Sequence, residues 1–261
     1  MTITINRHLF FLIFLFVCIA CQQGQDLNDA IFQRSTIDAL LAGRYDDTYT
    51  FGSLKQMGDF GIGTFNSIDG EMLALDGVYY QCRTDGKTYP VADEGQTPFA
   101  TVKFFQTEEQ FNLTQPFGYD DLKRHLDEIL PSQNHLYAIK IYCNLDSILF
   151  RSVPKQQPPY EALATVIADE VKFSHQNIHG TLVGFRFPPY LQGVNVPGYH
   201  FHFISEDRKV GGHVLDLLTR DGTIYSDQGN SFLLSFPDDD VFTQTDLSID
   251  RSEDLEKVET R

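Results

Sequence analysis

Residues 198–213 read Gly198-Tyr199-His200-Phe201-His202-Phe203-Ile204-Ser205-Glu206-Asp207-Arg208-Lys209-Val210-Gly211-Gly212-His213. In a strand, alternate side chains share a face. His200 and His202 therefore project together, while Tyr199, Phe201 and Phe203 take the opposite, apolar face. The charged stretch that follows ends in Gly211-Gly212, a turn composition, and His213 opens a returning strand. Such a hairpin carries a third imidazole to the first two. Three His with a coordination position left open form the ligand set of a catalytic zinc site and not of a closed structural one. The same donors also accept iron, cobalt, nickel or copper. A single His on a strand is usually an ordinary core or surface residue. Here three of the chain's eight His fall within 14 residues, which favours a metal.

Outward from this hairpin the chain reads as short strands and a few helices. Strands are predicted at 180–187, 200–205, 212–219 and 231–234, and upstream at 100–105 and 136–145. Residues 58–80 hold glycines between apolar residues, with Asp69-Gly70 and Asp76-Gly77 as turn signals. Helices are predicted after Ser35, ending near Gly43, over 120–130, closed by Pro131, and over 160–170. Pro154, Pro158 and Pro159 do not suit a regular element. The expected fold is α+β: two domains built on mixed β-sheets, with the metal site on a β-hairpin of the C-terminal domain. The expected bounds are 31–152 for the first domain, 153–159 for a linker, 160–250 for the metal-binding domain and 251–261 for a tail reaching the site.

The N-terminus predicts export. Arg7 and His8 precede an apolar run over 9–20 that is short for a membrane span. Residues 1–20 read as a signal peptide ending in Ala20-Cys21, which resembles a bacterial lipoprotein signal with Cys21 as the acylated residue. Residues 21–30 then form a tether. The expected location is the periplasm or the cell surface, with membrane contact only through that lipid. Cys82 and Cys143 are lone thiols without a C-x-x-C spacing, so no cysteine zinc site or redox dithiol is indicated.

Composition narrows the partners. With 22 Phe and 12 Tyr the chain has ample material for a core, which excludes a disordered reading. Its net charge of −16 argues against nucleic acid, since phosphates need a basic surface. An anionic substrate must then be received by a local cation or a metal. Gly61-Ile62-Gly63 is no dinucleotide motif, because a third glycine and a following helix are missing.

The run over 198–216, G-Y-H-F-H-F-I-S-E-D-R-K-V-G-G-H-V-L-D, resembles the signature of the alpha-acetolactate decarboxylases. A second block over 58–76, G-D-F-G-I-G-T-F-N-S-I-D-G-E-M-L-A-L-D, agrees with it. So do residues 35–43, Thr97-Pro98-Phe99-Ala100 and Arg151-Ser152-Val153-Pro154. The resemblance covers about residues 31–259. It implies zinc held by His200, His202 and His213. It implies catalytic roles for Glu71 of the D-G-E, for Arg151 before the V-P and for a Glu near the C-terminus. Glu259 is the choice for that last position and Glu256 its rival. Thr64, in the G-T-F before Glu71, is expected to line the pocket. A homodimer is also implied.

The implied reaction is metal-dependent decarboxylation of 2-acetolactate to acetoin and CO2 through a zinc-bound enediolate protonated by a Glu. Zinc suits this as a Lewis acid, Arg151 as a holder of the carboxylate, and a buried Glu of raised pKa as the proton donor. Two other readings compete. In a cupin-type metalloenzyme, His200-x-His202 would be completed by Glu206 in place of His213. An exported zinc- or ligand-binding lipoprotein would need the His trio but neither Arg151 nor Glu71.

Overall fold

The hairpin forms as its alternation predicts. β11 (Gly198–Ser205) and β12 (Gly211–Gly229) pair antiparallel, with His202 opposite His213, Phe203 opposite Gly212 and Ile204 opposite Gly211. These strands belong to a computed structural model that describes residues 29–259. The predicted signal peptide, Cys21 and most of the tether lie outside the described residues. Among the described residues no helix is long and apolar enough to cross a membrane.

Two sheets organise the described residues. The first contains seven strands: β1 (Ala30–Arg34), β2 (Phe60–Thr64), β3 (Glu71–Leu75), β4 (Val78–Cys82), β5 (Thr88–Pro90), β6 (Ala100–Lys103) and, from the far end of the chain, β13 (Ser231–Ser235). Their order is β13-β1-β6-β2-β3-β4-β5. The second sheet contains β7 (Glu109–Leu113), β8 (Phe117–Gly118), β9 (Leu136–Ser152), β10 (Val171–Phe187), β11 and β12. Its main order is β11-β10-β9-β12-β7. The extra β11–β12 pairing closes β9, β10, β11 and β12 on themselves. Both sheets are antiparallel except for the β1–β13 pair, so only the first is mixed.

The sheets do not divide at the expected linker over 153–159. β9, placed in the first domain by the sequence reading, runs through the centre of the second sheet between β10 and β12. β13, placed in the second domain, extends the first sheet beside β1. The reason is that prolines end a strand without saying where the chain goes next. Here it returns to the same sheet, Val171 pairing with Ser152. The helix expected over 160–170 is reduced to α4 (Leu163–Val166) and a 3-10 turn over Ile167–Asp169. Elsewhere the helix signals hold: α1 (Ile37–Leu41) is capped by Thr36, whose hydroxyl accepts from the Ala39 N–H, and α3 (Tyr119–Ile129) stops just before Pro131.

The sheets meet face to face. Ile31, Phe60, Ile62, Leu73 and Leu75 of the first pack with Ala138, Val183, Phe185 and Ile204 of the second. Removing such side chains from water supplies about 1.5–3 kcal/mol each and fixes which face of each strand turns inward. The outer face of the first sheet is covered by α2 (Phe51–Leu54), and that of the second by α3. Toward one end of the interface the inward stripes change character. On β2 the sequence Phe60, Ile62 ends in Thr64. On β3, Leu75 and Leu73 give way to Glu71. On β11, Ile204 gives way to His202 and His200. Helices α1, α4 and α6 (Ser252–Glu259) close this end with a separate apolar cluster that includes Leu40, Leu163, Leu255 and Val258. The remaining helix, α5 (Asp240–Gln244), lies on the chain's path between β13 and α6.

Candidate active site

The polar ends of the inward stripes line one cavity of about 50 Å³, room for a few waters or a ligand of few heavy atoms. Glu71, Arg151, His200, His202, His213, Glu259 and Thr64 all reach it. The rest of its wall is apolar and includes Ile37, Leu40, Phe99, Val153 and Leu163.

The three imidazoles converge. One ring nitrogen from each of His200, His202 and His213 lies within 4.8 Å of the others. His202 Nδ1 is 2.8 Å from the carbonyl of Met72. A carbonyl only accepts, so that nitrogen carries the proton and Nε2 keeps its lone pair. His200 Nε2 and His213 Nδ1 are 2.9 Å apart. His213 Nε2 is buried without a hydrogen-bond partner, an arrangement that costs roughly 1–3 kcal/mol unless something else satisfies it. All three rings are held neutral. Burial pushes His200 down to about 3, with Arg151 adding to it. Burial first, then the neighbouring imidazoles and Arg151, also pushes His202 and His213 well below the usual imidazole range. Neutral imidazoles with free lone pairs, one oriented through its other nitrogen by a backbone carbonyl, are what a divalent metal requires. The donor set therefore fits a metal ion.

Two carboxyls face the trio. Glu71 Oε2 is 3.7 Å from His202 Nε2, and Glu259 Oε2 is 3.8 Å from His213 Nε2. Burial raises both carboxyls to about 7, against the lowering pull of Arg151. For Glu71 the negative charges of Glu259 and Glu170 add to the rise. Arg151 is the buried cation among them. One of its terminal nitrogens donates to Glu170 Oε2 at 3.1 Å and to the carbonyl of Val258. Its Nε is buried without a partner, 4.0 Å from Glu71 Oε1.

Local structure explains these placements. Gly70 has φ +87°, and a Cβ there would sit 2.3 Å from the Cys82 carbonyl. Only glycine takes this turn without strain, and it delivers Glu71 to the start of β3. Thr64 donates its hydroxyl to the Gly70 carbonyl at 2.8 Å, which braces that turn as well as lining the cavity. A Cβ on Gly212 would meet the Arg151 carbonyl at 2.3 Å, so this glycine lets β12 approach β9 closely enough to set His213 opposite Arg151.

Helical phase separates the two tail glutamates, Glu259 lining the cavity and Glu256 not. On α6, Leu255 and Val258 are buried, Glu259 follows at the cavity, and Glu256 is exposed. Glu206, which a cupin reading requires, is exposed in the hairpin turn and does not line the cavity. Cys82 and Cys143 are buried and unpaired. Sequence reading did not single out Glu170, since one acid in a charged stretch carries no signal of the arginine it meets. Nor did it find the apolar wall from α1 and α4. Phe99 is the exception in part, because its T-P-F-A block was visible.

Known proteins resemble this chain over most of its length. A family profile described as alpha-acetolactate decarboxylase matches residues 31–249. A relative of that name from Methanosarcina mazei is 50% identical over 236 residues, covering 90% of this chain and 82% of its own length. Another from Methylococcus capsulatus is 42% identical over 229 residues, covering 88% of each. The crystal structure of alpha-acetolactate decarboxylase from Bacillus subtilis strain 168 superposes with a TM-score of 0.87 at 35% identity, over 89% of this chain and 100% of that one.

Proposed function

Since the chain belongs to the alpha-acetolactate decarboxylase family and is a carboxy-lyase of that kind, we propose that His200, His202 and His213 hold a zinc ion and that Arg151, Glu71 and Glu259 carry the anion and the proton of the reaction. The observation that carries this reading is the convergence of three neutral imidazoles on a cavity whose other ionisable groups are one arginine and two carboxyls of raised pKa.

A metal held by His200, His202 and His213 would supply Lewis-acid stabilisation of the negative charge that develops on the substrate's oxygens. Arg151 receives the carboxylate of 2-acetolactate through the unpartnered Nε–H, a charge-assisted bond. It thereby offsets the repulsion an anion meets on a protein of net charge −16. The C–C bond to the carboxylate breaks and CO2 leaves. Its electron pair spreads into an enediolate, and Glu71 or Glu259 then delivers a proton to the carbon that bore the carboxylate, giving acetoin. The apolar wall from α1 and α4 keeps bulk water, a competing proton source, away from that carbon.

The proton donor must hold its proton before the step. Both candidates are raised to about 7, so the competent form dominates below that pH and is lost above it. We expect kcat to be level between about pH 5 and 6 and to fall roughly tenfold per unit above about pH 8. A kcat profile that rises across this range would rule out a carboxylic acid donor. The direct test of the function is acetoin formed from racemic 2-acetolactate by protein lacking residues 1–21, before and after chelation and with zinc restored. No acetoin from folded, zinc-loaded protein would remove the decarboxylase assignment.

We also propose export with acylation of Cys21, on the strength of the apolar run and the Ala20-Cys21 pair alone. Mass spectrometry of the mature N-terminus from bacterial membranes, with Cys21→Ala for comparison, tests it, and an unmodified Cys21 overturns it. The family resemblance supports a homodimer, which sedimentation of the same truncated protein would test.

A further inference from the structure

We propose that Glu170 is a positioning residue for Arg151, clamping one end of its guanidinium so that the Nε–H is left free for the substrate's carboxylate. The proposal rests on the assignment of Arg151 as the carboxylate receptor.

Glu170 is held from both sides. Its Oε2 accepts from Arg151 at 3.1 Å, and its Oε1 is 2.9 Å from the Lys172 ammonium. The strand register makes this geometry local. Lys172 lies opposite Arg151 in the β9–β10 pair, and Glu170 is two residues before it on the same chain. The backbone is anchored too, since the Glu170 N–H donates to the Ile167 carbonyl and closes the 3-10 turn. The carboxylate is therefore in place before any ligand arrives, on the segment whose Ile167 side chain walls the cavity.

An arginine has a long, flexible stem, and a receptor that must first be ordered binds its anion less well. Arg151 is ordered in advance. Glu170 and the Val258 carbonyl both take the same terminal nitrogen, while Nε, 4.0 Å from Glu71 Oε1, is buried without a hydrogen-bond partner. Because the Val258 carbonyl belongs to α6, the clamped guanidinium also ties down the helix turn that carries Glu259. Glu170 reaches the cavity only through Arg151, since it is absent from the cavity wall.

A purely structural role for Glu170, tying the start of β10, makes different predictions from a positioning role. The test is a double-mutant cycle on the zinc-loaded, truncated protein: wild type, Glu170→Ala, Arg151→Ala and the double variant, with Glu170→Gln alongside. The substrate carboxylate is bound before the reaction as well as during it, so misplacing its receptor shows chiefly in KM. Glu170→Ala is expected to raise KM about tenfold or more, with kcat within about threefold and zinc content unchanged. Glu170→Gln retains an amide oxygen that accepts from Arg151 and is expected to stay within about threefold of the wild-type KM. In the Arg151→Ala background, Glu170→Ala is expected to have no further effect. A Glu170→Ala effect of equal size in both backgrounds, or a fall in kcat with KM unchanged, overturns the positioning role. An inactive wild type overturns the assignment of Arg151 as well, whereas an active wild type with an unaffected Glu170→Ala overturns only the role of Glu170.

Discussion

His213→Ala is expected to lower acetoin formation by at least about 1000-fold and to reduce bound metal from one per chain to a small fraction. Loss of a partner behind a metal ligand typically costs about 10–100-fold, and loss of one of three ligands costs more. The variant is informative because the backbone of residue 213 keeps its pairing with both His202 and Arg151. The fold should therefore survive. Truncation leaves a small cavity but also removes the buried His213 Nε2 that has no hydrogen-bond partner. These effects oppose one another, so the unfolding midpoint of the metal-free protein should move little. Metal content by elemental analysis and acetoin yield are the measurements. A His213→Ala protein that keeps both would mean that the hairpin trio is not the metal site.

Arg151→Ala is expected to be the second most damaging change, and to act on stability as well as turnover. The loss of the charge-assisted bond to the substrate, worth about 1.5–3 kcal/mol, predicts a fall in kcat/KM of roughly 10- to 150-fold. Stability suffers because Glu71 and Glu170 both face this guanidinium in the interior. Removing one partner of a buried pair costs about 3–5 kcal/mol. The sign of the pH dependence follows from Glu71. Its folded pKa, about 7, lies above its unfolded value, so the folded state holds the extra proton between about pH 4.5 and 7. Stability therefore falls as pH rises through that window, and Arg151 limits the fall. The variant should be nearest to wild type at about pH 5 and furthest from it above pH 8. Urea unfolding at the two pH values checks this. An equal loss at both would show that Glu71 is not the group Arg151 compensates.

Much of the site was legible in the chain, unevenly. The imidazole trio followed from period-two alternation over His200 and His202 and a Gly-Gly turn before His213. Glu71 and Arg151 had no such local logic. A glutamate after Asp-Gly and an arginine at a strand end are ordinary surface features, and only the family resemblance picked them out. Glu259 was separable from Glu256 once α6 had a defined face, with Leu255 and Val258 buried and Glu256 exposed. The sheets do not divide at residues 153–159, because strand pairing over a distance, β9 with β12 and β1 with β13, leaves no mark on local composition.

By itself, then, the sequence determined the hairpin that gathers the three imidazoles, because its geometry is set within 14 residues by strand alternation and a tight turn. The tertiary structure alone decided what surrounds those nitrogens. It brings Glu71, Arg151, Glu170 and Glu259 from four separate segments to one end of a sheet–sheet interface. It also removes them from water, which keeps the imidazoles neutral and lifts two carboxyls to about 7. Charge state in an interior depends on burial and on distances between groups remote in the chain, and neither quantity is written in any local stretch of residues.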